Sequence, residues 1–426
     1  MLSQDAKGVL VIAYVFPPYP GVGGRRWAKF VKYFSRHGNR VHVICAKNPF
    51  DHASSWMQDL QALSVNVHAL PSLYPAVLQT KPATVLQKIA YRAWLLFLNL
   101  YSVGNRYERA LFWKSSMINK AAEIIQQEHI RNVIVTGPPF YCLHHSLDLK
   151  KKFPAINLIM DIRDMWTDNQ SFLGYSSLSA KRLAYEQQLE KEVMNGADVV
   201  VSVAEAMTKR FKARCENQTT RFETILNGFD SDDFQGLDTS SIKNSSGEHI
   251  RMVFTGTLYQ AIDSVMMPFV DALKRLKEQE PNVFSRLQFD FYGDAPQHYR
   301  DLLLNSFPAT FRFHKTIPLK EMFARIAEAH YTMLFLADDH TFSTSSKFFE
   351  YMAMKKKVLV VSKQGELGTF VEREKIGLAI TPDSMDKQLL RFVAEHDTGN
   401  HAFPASFDVN RYSVESLAFE FEKLLI

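Results

Sequence analysis

Short runs of apolar, β-branched residues recur along the chain, separated by stretches whose apolar positions repeat every three to four residues. The first pattern predicts buried strands and the second predicts helices. Their alternation predicts an α/β fold, with parallel sheets covered by helices on both faces. The opening unit shows the logic. A strand from Val9 to Tyr14 leads into the loop from Phe16 to Gly24, and a helix with Trp27, Phe30, Val31 and Phe34 at helical spacing follows. Gly38 ends that helix, and a second strand runs from Val41 to Cys45. Further strands are predicted at Val133 to Thr136, Leu158 to Asp161, Val199 to Val203 and Thr224 to Leu226.

A polar stretch rich in Ser, Asn and Gly then interrupts the pattern, with little in it to bury, and reads as an interdomain linker. Beyond it the plan repeats without repeating the sequence, through strands at Met252 to Thr255, Phe289 to Tyr292, Thr332 to Leu336 and Val358 to Val361. The expected division is a first domain at 1–235, a linker at 236–248, a second domain at 249–408, and a C-terminal helix at 409–426 that returns to the first domain. A length of 426 residues agrees with two cores, since single cores stop growing near about 250 to 300 residues.

Composition narrows the class. With 46% hydrophobic and 22% charged residues, both cores can form without disulfides. Cys45, Cys142 and Cys215 form no Cys-x-x-Cys pair, which argues against a zinc ribbon and for a reducing compartment. The N-terminus lacks the pattern of a signal peptide, and the longest lipophilic stretch, Ala93 to Leu98, is far below the roughly 20 residues that span a bilayer. A cytoplasmic protein is expected. The net charge of +5 permits attraction to anionic lipids or phosphorylated ligands without demanding nucleic acid.

The strongest chemical signal runs from Ser343 to Val361, as STSSKFFEYMAMKKKVLVV. A hydroxyl-rich start opens a short amphipathic helix, and a buried strand follows. The free N–H groups and positive dipole end of such a helix suit a diphosphate, with Ser345 and Ser346 at its start and Lys347 adding a full charge. Glu350, one turn further, is placed for a ribose diol. On spacing alone, an ordinary capped helix with a Lys347–Glu350 surface pair explains the segment equally well.

This segment resembles the donor site of retaining GT-B glycosyltransferases of family 4, in which S-x-K-x-x-E-Y-[ML]-A before a strand recurs. Other pieces match in the same order: F-P-P-x-x-G-x-G-G at Phe16 to Gly24, T-G-P-P-F at Thr136 to Phe140, D-I-R-D-M-W-T-D-N at Asp161 to Asn169, N-G-F-D at Asn227 to Asp230 and F-T-G-T-L-Y at Phe254 to Tyr259. The resemblance implies a GT-B fold of two Rossmann-like domains facing across a cleft. It implies transfer of a sugar from a nucleotide-diphosphate donor, with a UDP-sugar expected, to a saccharide or lipid-linked saccharide in surface polysaccharide biosynthesis. The sugar transferred would be a hexose or an N-acetylhexosamine. Glu350 would bind the nucleotide ribose and the helix start the phosphates.

Within that resemblance, Gly23 and Gly24 would let the backbone approach the donor phosphate or the acceptor hydroxyl. Gly256, Thr257, Gly293 and Asp294 would border the diphosphate and the base. Arg163 and Asp164 join Lys347 and Glu350 as expected catalytic residues, while Arg25, Asp161, Arg163 and His144 are expected at the acceptor. Arg25 and Arg26 also open a helix where cations are disfavoured, which hints at an anion nearby, although solvated arginines explain them too. Neither a cofactor nor a metal is expected, because no Asp-x-Asp stands where a metal-bound diphosphate needs one. The second glutamate that many relatives carry eight positions before the ribose-binding one is Phe342 here, which leaves the sugar open; Asp338, Asp339 or His340 could serve instead.

Between Lys88 and Lys120 aromatic and basic residues interleave, as an anionic membrane interface would favour and as a helical insertion with a buried aromatic side also would. Three rivals remain: a nucleotide-sugar epimerase or hydrolase, a non-catalytic nucleotide-binding protein, and an NAD-dependent dehydrogenase. The last is disfavoured by the absence of G-x-G-x-x-G from the first loop.

Overall fold

The computed structural model describes residues 6–426 apart from 62, 169–173, 238–248, 259–261, 337–344, 364 and 400–401. Phe342, Asp338, Asp339, His340 and Ser343, together with most of the expected linker, lie outside the described residues. The chain forms two compact units, one of Met1–Leu226 with Val414–Ile426 and one of Asn227–Ser413.

The first unit is built on β1 Gly8–Ala13, β2 Arg40–Ala46, β3 Val65–Leu70, β4 Asn132–Gly137, β5 Asn157–Ile162, β6 Val199–Ser202 and β7 Arg221–Thr224. They form one parallel sheet in the order β3-β2-β1-β4-β5-β6-β7. The chain winds outward from β1 in one direction and then from β4 in the other, so the switch point lies between β1 and β4. In open sheets of this kind, ligands bind beyond the carboxyl ends of the strands at that point.

The second unit repeats the plan with β8 Ile250–Thr255, β9 Leu287–Tyr292, β10 Phe311–His314, β11 Tyr331–Phe335, β12 Val358–Val361 and β13 Gly377–Ile380. Its order is β10-β9-β8-β11-β12-β13, which puts the switch point between β8 and β11.

The C-terminal helix Val414–Glu422 belongs to the first unit. Phe421 packs edge-on against Trp27 at 5.3 Å and Phe30 at 5.7 Å. The chain end is fastened to the sheet by two asparagines. Asn157 donates to the Leu424 carbonyl at 2.8 Å and Asn132 to that of Ile426 at 3.0 Å.

Candidate functional site

In the second unit the helix Ser346–Ala353 is locked to the end of β8. The Tyr351 hydroxyl accepts from the Thr255 N–H and pairs with its Oγ1, both at 2.9 Å, in a buried position. The helix start is thereby held at the switch point. Among the described residues Ser345, its N-cap, makes no side-chain capping bond. Ser346 is exposed, so the first turn faces outward.

Two glycines shape the rim. Gly256 has φ +90° and Gly293 φ +126°, backbone that L side chains rarely adopt. The Gly256 N–H donates to the Tyr292 carbonyl at 2.7 Å, and the Leu258 N–H to that of Asp294 at 2.8 Å. The ends of β8 and β9 are thus laced together, and a Cβ on Gly293 would strike the Gly256 carbonyl.

Lys347 lies across this pair. Its ammonium is 3.4 Å from the Thr257 carbonyl and 4.8 Å from the centre of the Phe254 ring. Burial pushes its pKa down to about 8, against the pull of the Glu350 charge. The alternative of a surface Lys347–Glu350 pair does not hold: no ion pair joins them among the described residues, and Glu350 is only 4% exposed. Lys347 therefore offers a partly buried cation beside two strand-end loops, next to a helix N-terminus. That is a combination suited to an anion.

In the first unit the loop Val22–Gly24 and the helix Arg25–Arg36 follow β1. Arg163, just after β5, donates to the carbonyls of Gly137 at 3.2 Å, Pro138 at 2.7 Å, and Gly23. Its guanidinium fork stitches three strand-end loops together, and burial lowers its pKa. Asp161 lies deeper, with no exposed surface. It accepts from the Trp27 indole at 2.7 Å, the Thr136 hydroxyl at 2.8 Å and Arg26 at 3.2 Å. Arg26 also donates to the carbonyls of Ile225 and Leu226. The cation at the helix start is thus explained by a buried ion pair with Asp161, and Arg25 lies over the Trp56 ring at 4.9 Å.

Beside these loops is a cavity of about 570 Å³ within the first unit. Tyr19, Tyr74, Tyr107 and Tyr175 line it, with Glu108 and Arg109. Behind it sits Glu186, fully buried and saturated by four donors: the Asn105 N–H at 2.6 Å, Tyr141 at 2.7 Å, Trp166 at 2.8 Å and Tyr175 at 3.2 Å. Burial and that neighbouring carboxylate push the Glu108 pKa up to about 8.

No family model and no curated protein matches the sequence. Solved structures do. Sucrose-phosphate synthase from Thermosynechococcus elongatus is 12% identical with a TM-score of 0.62, over 98% of both chains. The Anabaena protein HepE, in complex with UDP and glucose, is 14% identical with a TM-score of 0.59, also over 98% of both chains. WaaG, a glycosyltransferase involved in lipopolysaccharide biosynthesis, is 12% identical with a TM-score of 0.54, over 96% of this chain and 98% of that one. The chain has the GT-B fold. At such low identity the likeness carries the fold, and the chemistry has to come from the residues.

The GT-B framework brings Gly256, Thr257, Gly293, Asp294, Ser345, Ser346, Lys347 and Glu350 to one end of the second sheet, as their loops predict. In the first unit Gly23, Gly24, Asp161, Arg163 and Asp164 gather around the ends of β1, β4 and β5. There Asp161 and Arg163 hold the loops rather than present free polar groups. His144 stands apart: on the helix Tyr141–Lys152 it meets Glu192 of a neighbouring helix at 2.8 Å. Its partner His145 points to the Ala110 carbonyl, and burial lowers its pKa to about 4. Tyr107 and Arg109 fall in the segment for which a membrane interface and a helical insertion with a buried aromatic side are both expected, and here they take the buried side; the further signal for the cavity is the lone acid, Glu108, at the end of a long acid-free stretch.

Proposed function

We propose that this chain is a metal-independent, retaining glycosyltransferase that moves a hexose or N-acetylhexosamine from a UDP-sugar to a saccharide or lipid-linked saccharide in surface polysaccharide biosynthesis. The observation that carries the proposal is the Lys347 ammonium seated over the Gly256–Thr257 turn at the start of the helix Ser346–Ala353. When the bond from the anomeric carbon to the diphosphate oxygen breaks, negative charge develops on the diphosphate. A pre-placed cation and helix dipole stabilise that charge without a metal. Glu350, one turn further, accepts from the ribose hydroxyls, and the UDP and glucose bound by HepE are in keeping with this donor class.

The acceptor side of the proposal rests on the helix Val85–Tyr101. Its inner side packs Leu98 against Tyr74 and Leu78 of the cavity wall. Its outer side leaves Val85 72%, Leu86 78% and Leu100 79% exposed, with Trp94 and Phe97 also in solvent. No acidic residue occurs between Asp59 and Glu108, and Lys88 and Arg92 are exposed on this helix. An apolar, basic, acid-free face suits an anionic bilayer surface. Among the described residues no helix is long and apolar enough to cross a membrane, so the contact would be peripheral, on the cytoplasmic leaflet. Trp113, by contrast, is fully buried, and Phe112 packs half-buried against the cluster of Tyr74, Leu78 and Leu98.

The test is a panel of nucleotide sugars assayed by nucleotide release with a membrane lipid extract, comparing wild type with Glu350→Ala. We expect release with one donor class and a loss of roughly a hundredfold or more in the variant. Equal activity in the two proteins would remove Glu350 from the donor site, and release without any acceptor dependence would favour a hydrolase.

A further inference from the structure

The cavity of the first unit has a chemistry of its own. Its volume of about 570 Å³ lies in the range of small-molecule sites. Tyrosine rings supply flat apolar faces that match the C–H faces of a pyranose. Gln79 and Asn105 supply amides for its hydroxyls.

The charge is less ordinary. Arg109 lies over the rings of Tyr14 at 5.5 Å and Tyr19 at 6.0 Å, with Nη1 3.5 Å from the Tyr19 hydroxyl. Among the described residues no carboxylate lies within ion-pair distance of it. The neighbouring Glu108 makes no ion pair with it, and burial beside Glu186 pushes the Glu108 pKa up to about 8. Its two oxygens accept from the Phe140 N–H at 3.1 Å and, weakly, from the Ala110 N–H at 3.5 Å. The lining therefore offers a guanidinium with no carboxylate paired to it among the described residues, flanked on one side by aromatic rings, where an anion gains more than it would in water.

We propose that this cavity binds an acceptor saccharide carrying an anionic group, a carboxylate or a phosphate, with the group set against Arg109 and the sugar ring against the tyrosines. The proposal rests on the glycosyltransferase reading for the word acceptor, while binding itself can be measured independently of turnover.

The experiment titrates the full chain with glucose, glucuronate, glucose 6-phosphate and inorganic phosphate, followed by saturation-transfer NMR, in wild type, Arg109→Gln and Arg109→Lys. UDP binding is measured in parallel. At least one anionic sugar should bind about tenfold or more tightly than glucose, as a charge-assisted contact would give. The arm that wins tells carboxylate from phosphate. Arg109→Gln should erase the preference, Arg109→Lys should keep part of it, and UDP binding should be unchanged in both. Glucose binding as well as its anionic relatives, inorganic phosphate binding as well as glucose 6-phosphate, or the same preference in both folded variants would overturn the proposal. Failure of UDP to bind wild type would instead strike the donor reading and leave the cavity result standing.

Discussion

The Lys347 side chain lies so close over Gly256 that a Cβ there would run into its Cε and Nζ. The glycine is thus what admits the lysine to the strand end, in addition to adopting a φ that other residues avoid. Gly256→Ala should displace the ammonium and weaken UDP binding about tenfold or more, the equivalent of about 1.4 kcal/mol. Calorimetric titration of folded variant and wild type checks it, and equal affinities would show that Lys347 does not hold the phosphates.

Lys347 also sets a pH dependence. Its pKa is lowered from 10.5 to about 8, so the free protein loses this charge as pH rises through about 8, and UDP affinity should fall over the same range. The sign for stability is opposite: between about 8 and 10.5 the native state binds fewer protons than the unfolded chain, so stability rises across that window. Lys347→Met should abolish the affinity step while raising the melting temperature at pH 7, because an unfavourably buried charge is gone. A variant less stable than wild type would argue that the ammonium is well satisfied in place.

Asp161 joins β5 to the start of the first helix through Trp27 and Arg26. Asp161→Ala leaves the Arg26 guanidinium buried without its carboxylate, and loss of one partner of a buried pair costs about 3–5 kcal/mol. Urea unfolding followed by circular dichroism measures this, and a change under about 1 kcal/mol would mean that the carbonyls of Ile225 and Leu226 suffice for Arg26.

For the membrane face, reversing Lys88 and Arg92 to Glu should weaken binding to phosphatidylserine-containing vesicles. At about 1 kcal/mol per basic residue, removing the pair is worth roughly thirtyfold, and more with the reversed sign. Flotation at low salt reads it directly. Binding that ignores both the reversal and the salt concentration would leave no electrostatic role for this helix.

How far these features could be read from the chain depends on where each residue sits in its sheet. Interior strands such as Val199–Ser202 and Val358–Val361 are buried on both faces, so they appear as unbroken apolar runs and were legible. The strands that escaped notice, Val65–Leu70, Phe311–His314 and Gly377–Ile380, all lie at sheet edges, where exposed positions dilute the signal. The other edge, Arg221–Thr224, was placed a few residues too late. The loops after β8 and β9 could be read from Gly256 and Gly293. What no local pattern could show is which distant group satisfies a charge: Arg26 depends on Asp161, 135 positions away, and Arg163 on Gly23, 140 away. A cavity assembled from the ends of several strands is equally non-local.

The C-terminal helix has a consequence for how the molecule is made. Leu417, Ala418 and Phe421 belong to the core of the first unit, yet leave the ribosome after the whole of the second. During synthesis the sheet from β1 to β7 emerges early, with Trp27 and Phe30 uncovered until the helix Val414–Glu422 arrives. The second unit, contiguous in sequence, is free to fold in that interval. The unit that is translated first is therefore completed only after the second, and translation halted near residue 413 would leave it with an unsealed apolar face for a chaperone to cover.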